Sequence, residues 1–108
     1  MNRIEITARL TKDPEVTYSS AGVCITKFSV AENLYDKQTK ERVPQFFNVV
    51  AFGKVAETIG NTLNKGRKIH LGGHIEFKKY TAKDGLEKMW TQVILKDFEY
   101  CDKKEKTA

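Results

Sequence analysis

The chain has 108 residues, of which nineteen are Lys or Arg and fourteen are Asp or Glu, so its formal net charge is +5. The length argues against a two-domain enzyme with a cleft between its lobes, because one hydrophobic core typically serves roughly 100–150 residues. With 40% hydrophobic and 31% charged residues, the composition also argues against a disordered chain and against a membrane span. The modest positive excess fits a polyanionic partner without identifying one.

The first ten residues predict a strand, not a targeting signal. Residues 3–10 alternate apolar and polar side chains with the period of a half-buried strand. They contain no apolar block like that of a secretory signal, so we expect a cytoplasmic protein. Cys24 and Cys101 match no CxxC or zinc-ribbon spacing, and we expect both to be reduced thiols.

The next elements follow from side-chain alternation and turn residues. Residues 15–18 can resume extended pairing, and Val23 to Glu32 form a strand rich in β-branched and aromatic residues. The stretch from Asn33 to Arg42 is polar without a sustained apolar pattern, which predicts a long, mobile hairpin loop. Residues 43–52 then form the third long strand.

The period changes after Gly53. Apolar residues recur at helical spacing up to Leu63, and Gly66 follows where a left-handed cap is expected. Strands from 68 toward 80 and from 86 to 100 complete the chain, with a turn at 82–85 and a barrel bend or bulge at Gly72-Gly73. This β-β-β-α-β-β order, with the helix between strands 3 and 4, predicts an all-β, five-stranded Greek-key OB barrel over residues 1–101 and a polar tail at 102–108.

The third long strand is apolar on both faces. Alternation places one set outward and one inward: Phe46, Asn48, Val50 and Phe52 against Phe47, Val49 and Ala51. Because only one face of a small barrel can look into the core, the other face is expected to meet a ligand, a partner or another subunit.

The last hairpin predicts an aromatic and basic surface. A three-residue loop at 83–85 would pair Tyr80 with Lys88 and Lys78 with Trp90, so that these four side chains share one face. Bases stack on exposed rings at roughly 1–3 kcal/mol each, while nearby cations neutralise phosphate. A duplex hides its base faces, so this pattern favours binding to a single strand.

Any one ring, taken alone, more often fills a core. We assign Phe28, Phe47, Phe77 and Phe98 to the core or to an interface. Only the joint pattern of rings beside lysines favours binding.

Catalysis finds little support in the sequence. There is no Ser-His-Asp set, DxD pair or Gly-rich phosphate loop. His70 and His74 would lie about 13 Å apart along an extended strand, too far for one zinc ion. We expect no enzyme activity, no metal site and no cofactor.

Five segments occur in one order between residues 2 and 100: Asn2-Arg3-Ile4, Leu10 to Val16, Phe46 to Lys54, Leu63 to Gly66, and Lys78 to Thr81. Together they resemble the bacterial single-stranded DNA-binding proteins. The resemblance implies an OB fold that assembles as a homotetramer, occasionally a dimer. It also implies that the protein wraps single-stranded DNA during replication, repair and recombination.

The resemblance also assigns roles to residues. It implies that the stacking rings are Phe46, Phe52 and Tyr80, which strand parity also reaches, and that phosphates meet Arg3, Lys37, Lys54, Lys65, Lys78 and Lys79. Trp90 and Lys88 are added from the hairpin pairing. Leu34 stands where the family commonly has a further Trp, which makes its neighbour Tyr35 a candidate. Asn48 stands where the family is often basic.

The family's flexible region and acidic tip, which recruit other replication and repair proteins, are not present in this sequence, which ends Lys-Glu-Lys-Thr-Ala. We therefore expect DNA coating without tail-mediated recruitment, near the nucleoid of a bacterial or phage-infected cell. A shortened version of a longer protein would look the same. Two alternatives stay open: a dimeric OB adaptor of a primosome-like assembly, and an RNA-binding OB domain.

Overall fold

A computed structural model describes residues 1–101, and the predicted tail at 102–108 lies outside the described residues. In chain order the elements are β1 Ile4–Leu10, β2 Glu15–Tyr18, β3 Cys24–Asp36, β4 Glu41–Phe52, α1 Lys54–Thr62, β5 Lys68–Thr81 and β6 Glu87–Tyr100. The helix follows the third long strand, as predicted. Because the short β2 counts as a strand of its own, α1 lies between β4 and β5, not between strands 3 and 4.

Five of the strands close into a barrel. They follow one another in the order β1-β5-β6-β4-β3, and β1 pairs again with β3 through Arg9 with Ala31 and Leu10 with Val30. The pairing of β4 with β6 is parallel, whereas the other pairings are antiparallel. The predicted OB barrel is therefore confirmed, with β2 added along the edge of β3.

Alternation along the strands fills the barrel. The largest side chains that are fully buried include Val30, Val49, Ile69 and Leu71, which come from three different strands. Helix α1 adds Ala56 and Ile59 to this core, and the buried Thr26 hydroxyl donates a hydrogen bond to the Ala56 carbonyl at 2.8 Å. Among the described residues, no helix has the length and apolar character needed to span a membrane.

The first of two hairpin arms projects from the barrel at residues 32–45, which we call arm 1. The prediction of a long mobile loop from Asn33 to Arg42 is wrong, since the pairing of β3 with β4 runs on to Asp36 and Glu41 and only residues 37–40 form the turn. Both faces of a two-stranded arm are open to water, so polar residues fit its ladder. Pro44 is tolerated because this part of β4 has a strand neighbour on one side only.

The second arm, arm 2, comprises residues 76–92 of β5, β6 and their turn. Tyr80 pairs with Lys88 and Lys78 pairs with Trp90, as predicted. Gly85 adopts a φ of 82° in the turn, and the register of β5 against β6 shifts at Gly72/Gly73, which confirms the predicted bulge.

Of the four phenylalanines assigned to the core or an interface, three belong to the core or pack against it. Phe28 is buried in the core, and Phe47 and Phe98 are partly buried and pack against the core. For Phe77 the core alternative is wrong, because this side chain is 65% exposed, and the interface alternative stays a prediction. Its strand has already left the barrel at that point, so no second layer covers the ring.

Candidate nucleic-acid interface

One continuous surface is formed by the side chains that alternate with the core residues of β3, β4, β6 and β5. The parallel register sets Val49 beside Val93 and Val50 beside Ile94, so residues 46 and 48 lie next to residues 90 and 92. We call this surface the outer face. Its members relevant here are Tyr35, Phe46, Asn48, Phe52, Lys78, Tyr80, Lys88, Trp90 and Gln92.

The outer face carries five accessible aromatic rings. The five side chains are between 45% and 65% exposed: Tyr35, Phe46, Phe52, Tyr80 and Trp90. They come from four strands, so the rings are spread across the sheet and along both arms. Exposed rings on a β-sheet can stack on unpaired bases.

Two of the predicted basic residues lie among these rings. Lys78 pairs with Trp90 and Lys88 pairs with Tyr80, so each ammonium belongs to the same face as a ring. Lys79 has the opposite parity and pairs with Met89 on the other side of arm 2. A phosphate that follows a stacked base would therefore meet Lys78 and Lys88 first.

The remaining predicted lysines border the outer face instead of lying within it. Lys37 is in the turn of arm 1, and Lys54 is the first residue of α1, two positions after Phe52. Lys65 follows the helix, where its backbone N–H donates to Asp13 Oδ1 at 2.8 Å. All three side chains are exposed.

Arg3 is not brought together with the outer face. Its guanidinium donates a hydrogen bond to Glu5 Oε1 at 3.2 Å, and both residues line a separate depression with His70 and Asp97. The Arg3 hydrogen bond and charge, helped by His70, lower the pKa of the Glu5 carboxyl. The charge of Arg3 is therefore already engaged.

A cavity of about 330 Å³ lies on the outer face between β3, β4 and β6. Asn48, Trp90 and Gln92 line it, and the same three residues also line a neighbouring space of about 200 Å³ beside Phe46. Sequence reasoning had not singled out Gln92. The available signal was its parity, two residues after Trp90 on the same strand.

Comparison with known proteins adds an independent finding. The model of the family described as "Single-strand binding protein family" matches residues 1–101. The chain is 35% identical over 103 residues to the single-stranded DNA-binding protein of Clostridium perfringens, covering 94% of this chain and 67% of that protein. It is 34% identical over 105 residues to single-stranded DNA-binding protein 2 of Listeria monocytogenes, covering 96% and 66% respectively. These matches span about two thirds of each relative's length.

Proposed function

The chain belongs to the single-strand binding protein family, and on that premise we propose that it binds single-stranded DNA without selecting a sequence. The observation that carries the proposal is the outer face, where exposed rings and lysines alternate on one sheet surface. Stacking and phosphate neutralisation are available to every base. The function served would be the coating and protection of unpaired strands in replication, repair and recombination, a binding role without catalysis.

The proposed contacts divide by chemistry. Phe46, Phe52, Tyr80 and Trp90 stack on bases, and Tyr35 extends the row onto arm 1. The phosphate and polar contacts come from Asn48, Lys78 and Lys88 within the outer face and from Lys37, Lys54 and Lys65 at its borders. Lys79, on the opposite side of arm 2, contributes less. Arg3 contributes least, since Glu5 already binds its guanidinium.

We further propose that the chain acts as a homo-oligomer, most simply a tetramer, in the cytoplasm and at the nucleoid. The support lies on arm 2, where Phe77 and Met89 are more than half exposed on the side opposite the outer face. A second copy that covered these side chains would leave the outer face free for DNA.

The direct test is a titration that follows the fluorescence of Trp90, the chain's single tryptophan. We expect oligo-dT to quench it strongly and a duplex of equal length to leave it unchanged. Affinity should fall with salt, with a slope of about −0.7 per phosphate neutralised. Competition between oligo-dT and a matched RNA distinguishes DNA binding from the RNA-binding alternative. Binding to neither nucleic acid, confirmed by mobility shift, would reject the proposal and favour the adaptor alternative.

A triple variant tests the stacking mechanism. Phe46→Ala, Phe52→Ala and Tyr80→Ala together should weaken oligo-dT binding by about 3 kcal/mol or more, because each lost stack is worth about 1–3 kcal/mol. Tyr18→Ala is the matched control, since this ring is also exposed but pairs with Cys24 and does not share the parity of the outer face. An unchanged affinity in the folded triple variant would rule out stacking on these rings.

A further inference from the structure

Gln92 is a largely buried residue whose side-chain amide has no protein partner. Only 8% of its surface is exposed, yet within residues 1–101 its side chain makes no hydrogen bond to another group. Among the described residues, the buried side-chain nitrogen or oxygen that lacks a partner is Arg67 Nε, so the amide atoms of Gln92 still reach solvent. Gln92 lines both the larger cavity and the smaller space beside Phe46. The amide is therefore accessible from these cavities, where a ligand group can take the place of water as its partner.

The surroundings of Gln92 supply a ring and a second amide. Asn48 lies beside it across the parallel contact of β4 and β6, and Trp90 precedes it by two positions on β6. Asn48 likewise makes no side-chain hydrogen bond within the described part of the chain. The nearby Ser29 hydroxyl is already engaged with the Thr11 hydroxyl.

The charges around the larger cavity favour a neutral ligand over a phosphate. Its far wall includes two cations, Lys12 and Lys27, and two carboxylates, Asp13 and Glu15. These charges balance, so the cavity has no excess of positive charge to hold an anion. Its volume of about 330 Å³ is at the lower end of small-molecule pockets.

We propose that this cavity receives one nucleobase of the bound strand, with the ring against Trp90 and the base edge hydrogen-bonded by the amides of Gln92 and Asn48. The inference rests on the proposed function and adds to it a contact that is not stacking. A base offers both donors and acceptors along its edge, which a carboxamide can match.

The missing protein partner also explains how such a contact tolerates any sequence. A carboxamide carries its donor and its acceptor on one terminal carbon, and a half-turn about the last torsion exchanges them. Since no protein hydrogen bond fixes either amide, each can turn to suit the base that arrives. The pocket therefore binds base edges without selecting among them.

The test compares oligo-dT with an oligomer of N3-methylthymine, which keeps the ring face but loses the N3–H donor. We expect the unaltered protein to bind the methylated strand about three- to tenfold more weakly, the factor that corresponds to one net hydrogen bond. Gln92→Leu should bind oligo-dT more weakly by a similar factor and should no longer distinguish the two strands. Asn48→Ala, at an exposed position that tolerates truncation, should show the same direction of change.

Gln45→Leu is the matched control, because it makes the same substitution on β4 at an exposed position of the opposite parity. It should keep both the affinity and the discrimination. Equal binding of both strands by the unaltered protein, with full affinity in Gln92→Leu, would overturn the pocket and leave DNA binding intact. If Gln92→Leu lost affinity for only one of oligo-dT, oligo-dA and oligo-dC, the claim that the pocket accepts any base would be wrong. Failure of the unaltered protein to bind any of these strands would instead reject the proposed function.

Discussion

At the scale of single residues, the surface cations are not equivalent. Lys78 and Lys88 belong to the outer face, where no carboxylate pairs with them among the described residues. Arg3 donates a hydrogen bond to Glu5. The Arg3 guanidinium and the Asp97 carboxylate also both lie beside the Cα of Gly72. A cation that already has a carboxylate partner gains less from a phosphate, since binding must displace the first partner. Position on the fold, not residue type, decides the contribution of each charge.

Arg3→Ala should therefore raise the pKa of Glu5 toward its ordinary value, because the Arg3 hydrogen bond and charge are the main causes of its lowering. The lowered pKa means that this carboxylate stabilises the fold above its unfolded-state pKa, and that the contribution is lost as pH falls through the folded-state pKa. NMR titration of the Glu5 carboxyl measures the change. In the same variant, oligo-dT affinity should fall less than in Lys78→Ala.

Lys83→Ala, in the turn of arm 2, is the control for this titration and should leave the Glu5 pKa where it is. A Glu5 pKa that does not move in Arg3→Ala would show that another group holds it low. An affinity loss in Arg3→Ala as large as in Lys78→Ala would show that Arg3 contacts DNA in spite of Glu5.

At the scale of elements, alternation predicted more than composition did. The parity of β4 predicted that Phe46 and Phe52 share a face, and the pairing of arm 2 predicted the same of Tyr80 and Trp90. The register confirms both predictions and joins the two sets on one surface. Parity could not show that Gln92 is buried, because its burial depends on β3 and β4, which lie far away in sequence. The missed strand pairing between Asn33 and Arg42 has a related cause, since a solvated two-stranded arm needs no apolar period.

One glycine of the barrel wall and one glycine of helix α1 make a testable contrast. A Cβ added at Gly73 would lie 1.9 Å from the backbone oxygen of Ile94, at the bulge where β5 and β6 change register. A Cβ at Gly60 would instead meet Cγ2 of Val16, at 2.6 Å, on the partly exposed strand β2. A backbone oxygen inside a ladder cannot move aside, whereas an exposed side chain can adjust.

Gly73→Ala should therefore lower the free energy of unfolding by about 3 kcal/mol, the upper range for overpacking. Gly60→Ala should cost far less, because the better helix propensity of alanine, about 1 kcal/mol, offsets the shift of Val16. Chemical denaturation of both variants measures the difference. Equal losses in the two variants would contradict the argument that the backbone contact at the bulge is the cause.

At the scale of the whole molecule, the arms make the chain larger than a compact domain. Its radius of gyration is 15.7 Å, against roughly 13 Å for a compact chain of this length. The projecting strands leave apolar side chains uncovered on the side opposite the outer face. These are Leu34 and Val43 on arm 1, and Phe77 and Met89 on arm 2. Uncovered side chains of this kind favour association, because each one buried removes apolar surface from water.

The double variant Phe77→Ser and Met89→Ser should therefore shift the proposed assembly toward smaller species in sedimentation. If several copies share one long strand, the effective concentration of the second site is lost with the assembly. The variant should then bind a long oligo-dT much more weakly than the unaltered protein, while a short oligomer that occupies one outer face should bind with similar affinity. Phe46→Ala is the converse control, expected to weaken binding to both oligomers and to keep the assembly. A stable monomer of the unaltered protein at micromolar concentration would contradict the oligomer, and equal losses on long and short strands would show that these two side chains act on DNA directly.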